Sequence, residues 1–110
     1  MKVYLDDVRR LPADFNLLVK TEAEAIETLD RMGDNIDEIS LDCDLGDPFD
    51  DVDFEKIDPG CGYNVAKWIV EQWAQGRLLH LEVRCHSANQ VERRVVLALI
   101  QVNEERFKHA

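Results

Sequence analysis

The chain has 110 residues, of which 45% are hydrophobic and 33% charged, so it is long enough for one domain with a single modest core. Its net charge of −10 at pH 7 argues against an extended surface for nucleic acid or acidic lipid, because phosphate groups bind to clusters of Lys and Arg. The net charge is still compatible with a small phosphorylated ligand that binds through a metal ion. The amino terminus is too acidic for a signal peptide, and no apolar run reaches membrane-spanning length. We therefore expect a cytoplasmic protein with reduced cysteines.

The first half of the chain predicts two strands followed by a helix. Lys2 to Leu5 is rich in β-forming residues, and a loop containing Pro12 separates it from a second short strand at Asn16 to Lys20. A capping box at Thr21 begins an amphipathic helix, and Gly33 follows its end. The link between the strands is about ten residues long, which fits either a hairpin or a tight crossover between parallel strands.

The second half predicts two more strands and two more helices. A third strand, Glu38 to Leu41, leads into an irregular acidic stretch from Asp42 to Gly62, whose length is typical of a functional loop. A helix from Tyr63 to about Gln75 and a strand from Leu81 to Cys85 follow. The last helix runs from a cap at Asn89 to about Phe107 and contains the apolar run VVLALI. Such a run is either buried or part of an interface.

Polar side chains directly follow three of the predicted strands. They are Asp6 and Asp7 after the first strand, Asp42 and Asp44 after the third, and His86 and Ser87 after the fourth. In a parallel α/β sheet, ligands bind outside the carboxyl ends of the strands, so these side chains are expected to meet. Carboxylates that repel one another need a compensating cation, and oxygen ligands suit Mg²⁺ or Mn²⁺. The sequence therefore predicts a metal site at this edge.

Four segments resemble those of a known family: YLDDVRRLP, SLDCDLGD, GYNVAKWI and HSAN, in that order along nearly the whole chain. They are similar to the receiver-like family described as cyclic-phosphate-processing receiver domains. The resemblance implies a flavodoxin-like three-layer sandwich over residues 1–110, with a truncated, mainly parallel four-stranded sheet of order 2-1-3-4.

The resemblance also implies roles for individual residues. Asp6 and Asp7 match the metal-binding acids, and Asp42 matches the phosphoacceptor of a receiver. Asp44 falls where a receiver lends a backbone carbonyl to the metal, and Ser87 falls at the hydroxyl position. Two features depart from the pattern. No counterpart of the receiver's fifth-strand Lys is found, so Arg9 or His86 is expected to supply positive charge, and Cys43 stands where the family often has His.

Each of these residues also has a plainer interpretation. The acidic pair can simply end a strand, His86 can be a hydrogen-bonded strand-end histidine, and Arg9 can be a solvated loop residue. The stretch from Asp42 to Asp53 superficially suggests a calcium loop, but it lacks the Gly and Glu of an EF-hand, so an EF-hand is excluded. The acidic residues at positions 47–58 have no assigned role.

The resulting hypothesis is a phosphoester hydrolase that uses Mg²⁺ or Mn²⁺ and acts on cyclic phosphates of nucleotides or RNA ends. Asp42, His86 and Ser87 are its candidate catalytic residues, and Arg9 and Ser87 its phosphate-binding ones. The metal ligands are Asp6, Asp7, Asp42 and Asp44. The alternative is a non-catalytic regulatory module that binds a protein partner, or a second copy of itself, through the last helix.

Overall fold

The computed structural model describes residues 1–6, 10–42, 62–86 and 90–108, apart from the side chains of residues 90–92. The strands are β1 (Lys2–Leu5), β2 (Leu17–Val19), β3 (Glu38–Leu41) and β4 (Glu82–Cys85). The helices are α1 (Glu22–Met32), α2 (Gly62–Ala74) and α3 (Gln90–Phe107), with a 3₁₀ turn at Gly33–Asn35. Every predicted strand and helix is therefore present close to its expected bounds.

The four strands form one parallel sheet in the order β2-β1-β3-β4, which confirms the predicted strand order. The short link between β1 and β2 is thus a tight crossover and not a hairpin. Asn16 stabilises its end, because its Oδ1 accepts a hydrogen bond from the Lys2 backbone N–H at 2.7 Å. The Asn16 N–H in turn donates to the Lys2 carbonyl at 2.9 Å, which extends the pairing of the two strands.

One face of the sheet carries the hydrophobic core. Alternate strand residues point to opposite faces, and the core-facing set is almost completely buried: Val3, Leu5, Val19, Ile39, Leu41 and Val83. The helices cover this face side by side, with α2 packed between α1 and α3. The connections from β2 to β3 and from β3 to β4 run in the same direction across the sheet, and α1 and α2 pack against each other. On the opposite face, no helix of the described ranges forms the third layer of the expected sandwich.

The helix ends and faces follow the sequence signals. Thr21 caps α1, since its Oγ1 accepts a hydrogen bond from the Glu24 N–H at 3.1 Å. The predicted inner face of α2 is buried at Val65, Ile69 and Trp73.

Helix α3 is buried on one side only. It buries Val96 and Ile100 and leaves a second group of apolar side chains exposed, namely Val95, Leu97 and Val102. None of the helices in the described ranges is both long and apolar enough to cross a bilayer.

Candidate functional site

Three of the predicted site residues meet at the carboxyl ends of neighbouring strands. Leu5, Leu41 and Cys85 lie side by side at the ends of β1, β3 and β4, and Asp6, Asp42 and His86 come directly after them. The ladder continues past the strands, since the Asp42 N–H donates to the Leu5 carbonyl at 3.1 Å and the His86 N–H donates to the Leu41 carbonyl at 3.0 Å. Because successive side chains along a strand point to opposite faces of the sheet, these three side chains lie on the face opposite the helices.

The three side chains are close together and largely shielded from solvent. Asp6 is 1% exposed and Asp42 is 9% exposed. Nε2 of His86 lies 3.1 Å from Oδ2 of Asp6. Two carboxylates at such a site resist ionising together unless a cation or a proton donor compensates them. His86 lies where a proton on Nε2 would compensate the Asp6 carboxylate.

Ser40 and Tyr4 contact His86 from the interior of the sheet. Oγ of Ser40 lies 2.7 Å from Nδ1 of His86. The Tyr4 ring stacks on the imidazole with a centroid distance of 4.0 Å and an interplanar angle of 12°. The ring of Phe15, in the link between β1 and β2, packs edge-on against the Tyr4 ring at a centroid distance of 5.0 Å. His86 is therefore fixed by both ring nitrogens and by one ring face.

Sequence reasoning missed Ser40 and Tyr4 as parts of the site. Tyr4 lies opposite Ser40 in the register of β1 and β3, and each stands two residues before a site acid. That spacing of two along both strands is the signal that was available, because it places all four residues on one face. It becomes informative only once the parallel register of the sheet is known.

The same face of the sheet carries an ion pair farther from the site. Nε of Arg84 donates to Oε1 of Glu38 at 2.7 Å, and the Glu38 side chain is only 10% exposed. This hydrogen bond raises the pKa of Arg84. The face opposite the helices is thus polar along its length, and away from the site Glu38 and Arg84 on this face form an ion pair.

Gly62 sets the backbone position of Asp42. A Cβ atom at residue 62 would lie 2.4 Å from the Asp42 carbonyl oxygen and 3.0 Å from its carbonyl carbon. The first residue of α2 therefore packs directly against the main chain of a site acid, which only glycine permits. The sequence indicated Gly62 as the end of the acidic stretch but gave no sign of this contact.

The donor set fits a divalent cation. Asp6, Asp42 and His86 each offer one ligand atom, and these atoms all lie within 4.8 Å of one another. In octahedral Mg²⁺ sites with bonds of about 2.1 Å, opposite ligands are roughly 4.2 Å apart, which is close to the observed spread. Carboxylate oxygens suit Mg²⁺ and Mn²⁺, and an imidazole nitrogen suits transition metals. His86 serves this site either as a third ligand or as the hydrogen-bonding partner of Asp6.

The other predicted site residues lie outside the described part of the chain. These are Asp7, Arg9, Asp44 and Ser87, together with Cys43 and the acidic residues at positions 47–58. Their roles stay predictions. The structure brings together one residue from each of the three predicted segments, namely Asp6, Asp42 and His86.

Comparison with known proteins identifies a family whose profile covers most of the chain. The sequence profile of a protein family described as "Cyclic-phosphate processing Receiver domain" matches residues 1–102. Searches of curated proteins and of solved structures gave no significant match.

Proposed function

The chain belongs to the family of cyclic-phosphate processing receiver domains, and from that membership we propose that it is a metal-dependent phosphoester hydrolase. Its substrates would be cyclic phosphates of nucleotides or RNA ends. The observation that carries the proposal is the convergence of Asp6, Asp42 and His86 at the carboxyl edge of the sheet. A purely structural strand end gains nothing from two buried carboxylates beside an imidazole.

The acidic side chains would hold the cation. Receiver domains commonly bind Mg²⁺ through acidic residues, and Asp6 and Asp42 are the described residues suited to Mg²⁺ or Mn²⁺ here. Asp7 and Asp44 would complete the ligand set. When bound, the cation supplies charge stabilisation to a phosphoryl oxygen.

His86 would carry the proton of the reaction. Hydrolysis of a cyclic phosphate forms one bond from an attacking oxygen to phosphorus and breaks one ester P–O bond. The departing oxygen then needs a proton, and Nε2 of the protonated His86 ring would donate it and leave a neutral imidazole. The proton that water loses on attack would pass to solvent, from which the ring is protonated again. Ser87 and Arg9 would bind the non-bridging phosphate oxygens. Asp42 acts either as the nucleophile, forming an acyl phosphate, or as a metal ligand while water attacks directly.

A second candidate function rests on α3. Its exposed apolar residues, Val95, Leu97 and Val102, favour a non-catalytic regulatory module that binds a protein partner or a second copy of the chain. Family membership is compatible with this alternative, because receiver domains are often regulatory.

A metal-dependent activity assay separates the two candidates. The purified chain would be incubated with 2′,3′-cyclic, 3′,5′-cyclic and linear phosphoesters in Mg²⁺, Mn²⁺ or a chelator. We expect turnover of a cyclic substrate that the chelator abolishes. Asp6→Asn and Asp42→Asn should each remove it, whereas the exposed Asp34, at the opposite end of the sheet, offers the control Asp34→Asn. No turnover under any condition would favour the regulatory module.

The two possible roles of Asp42 are then told apart by trapping. The reaction would be quenched in acid, and the intact mass of the protein would be compared with and without substrate. An adduct with the mass of the whole ring-opened substrate, whose second ester bond to phosphorus stays intact, identifies Asp42 as the nucleophile if hydroxylamine removes it and Asp42→Asn lacks it. Turnover without an adduct assigns Asp42 to metal binding.

A further inference from the structure

Ser40 lies where it can control the orientation of His86. It is a mid-strand residue of β3, 4% exposed, and its Oγ is 2.7 Å from Nδ1 of the imidazole. The other ring nitrogen, Nε2, lies 3.1 Å from Asp6. We propose that Ser40 is a positioning residue that holds Nδ1, so that Nε2 is the nitrogen presented to the acidic site. This role rests on the proposed function, because it concerns the proton that His86 would transfer.

The hydrogen-bonding groups around the ring favour one tautomer. An ionised carboxylate only accepts hydrogen bonds, so the contact between Asp6 and Nε2 is satisfied when Nε2 carries the hydrogen. Nδ1 then has a lone pair, and the Ser40 hydroxyl can donate to it. The hydrogen bond at one nitrogen of a histidine sets which nitrogen bears the proton. In the neutral ring, Ser40 and Asp6 thus place the hydrogen on Nε2. When the ring is protonated, both nitrogens carry hydrogen, the Ser40 hydroxyl accepts from Nδ1, and Nε2 can give its proton to a departing oxygen and leave a neutral imidazole.

Tyr4 restricts the remaining freedom of the ring. Its ring is nearly parallel to the imidazole at 12° and 4.0 Å, and Tyr4 itself is 7% exposed. Phe15 supports the Tyr4 ring from the crossover link at 5.0 Å. A 180° rotation of the ring about its Cβ–Cγ bond would exchange Nδ1 with Cδ2 and Nε2 with Cε1. The Ser40 hydrogen bond opposes that flip, since a flipped ring would place a carbon atom beside the hydroxyl.

Ser40 is not itself the nucleophile. The order Ser40–His86–Asp6 contains the residue types of a serine hydrolase triad. A nucleophilic hydroxyl must reach a substrate, however, and Ser40 is buried within β3 behind the imidazole. Its effect on any reaction passes through His86.

The test measures the tautomer directly, together with kinetics. Long-range proton–nitrogen NMR of the metal-free chain at about pH 8, where histidine rings are ordinarily neutral, distinguishes the two neutral forms. Comparison with His86→Ala assigns the signals of this ring among the three histidines of the chain. The variants are Ser40→Ala, which removes the hydroxyl, Ser40→Thr, which keeps it, and Thr28→Val, which removes a buried hydroxyl from α1.

We expect the hydrogen on Nε2 in the wild type, altered or doubled His86 signals in Ser40→Ala because Nδ1 loses its partner and the ring can flip, and restoration in Ser40→Thr. Supporting residues of this kind typically contribute 10- to 100-fold to activity, so Ser40→Ala should lower kcat by about that factor with little change in KM. Thr28→Val should leave both readouts unchanged. Identical His86 spectra in the wild type and Ser40→Ala would overturn the inference, whether or not the protein hydrolyses phosphoesters. A chain without hydrolase activity but with the expected change in the His86 spectrum would refute the proposed function alone.

Discussion

His86 is the residue on which the proposed chemistry depends most directly. General acid–base catalysis usually contributes about 10²- to 10⁴-fold, so His86→Ala should lower kcat by a factor in that range. The fold should persist, because His86 follows β4 and is not part of the hydrophobic core. The matched control is His80→Ala, whose ring contacts the Gly33 carbonyl at 3.0 Å far from the acids. Normal turnover in a folded His86→Ala protein would return His86 to a structural role.

Gly62 couples helix α2 to the site through a single close approach. Glycine-to-alanine changes in helices ordinarily gain about 0.5–1 kcal/mol, but here the added Cβ would lie 2.4 Å from the Asp42 carbonyl oxygen. Gly62→Ala should therefore lower the free energy of unfolding, by about 1–3 kcal/mol as other overpacked sites do, and lower activity by displacing Asp42. Chemical denaturation and the cyclic-phosphate assay measure the two effects.

Gly76 provides the control for that variant. It follows α2 at the end distant from Asp42 and has a φ of +81°, which L-residues rarely adopt. Gly76→Ala should cost about 1–2 kcal/mol through backbone strain while leaving the site acids in place. Equal losses of stability and of activity in Gly62→Ala and Gly76→Ala would mean that the contact between Gly62 and Asp42 has no specific effect on the site.

At the scale of strands and helices, the sequence predicts which segments form strands and helices better than it predicts how the strands pair and in which register. Asp6, Asp42 and His86 were identified because each follows a strand, and carboxyl ends meet in a parallel sheet. The contact of Ser40 with His86 depends on how β3 and β4 are aligned, which no local pattern specifies. The parallel pairing of β1 with β2 was likewise undecided, because a link of that length is compatible with both topologies.

The Glu38–Arg84 pair joins β3 to β4 on the polar face and tests what that face contributes to stability. Glu38 is nearly buried, whereas Arg84 is 59% exposed in its side chain, so solvent replaces part of the lost interaction. Arg84→Met should lower the free energy of unfolding, because the nearly buried Glu38 carboxylate then loses its partner. The double change with Glu38→Gln should recover part of that loss, because no buried carboxylate is left without a cation. Equal stability of the wild type and Arg84→Met in urea would contradict this account.

The whole molecule combines a strongly acidic surface with a buried acidic cluster. The net charge of −10 attracts any cation weakly, so a specific metal site has to be distinguished from general screening. A specific metal site and general screening differ in stoichiometry and in their dependence on individual residues. Screening acts through the total charge, whereas a bound ion acts through Asp6 and Asp42, the described carboxylates whose oxygens lie together.

Thermal unfolding makes that distinction. A ligand that binds only the folded state at about 100 times its Kd adds about 2.7 kcal/mol, and in a small domain each kcal/mol raises the Tm by several degrees. Millimolar Mg²⁺ or Mn²⁺ should therefore raise the Tm beyond the effect of NaCl at equal ionic strength. Asp6→Asn should abolish this extra rise while Asp34→Asn retains it, although both remove one negative charge. The same rise in both variants would mean that the cations act on the net charge and that the buried acids do not bind them.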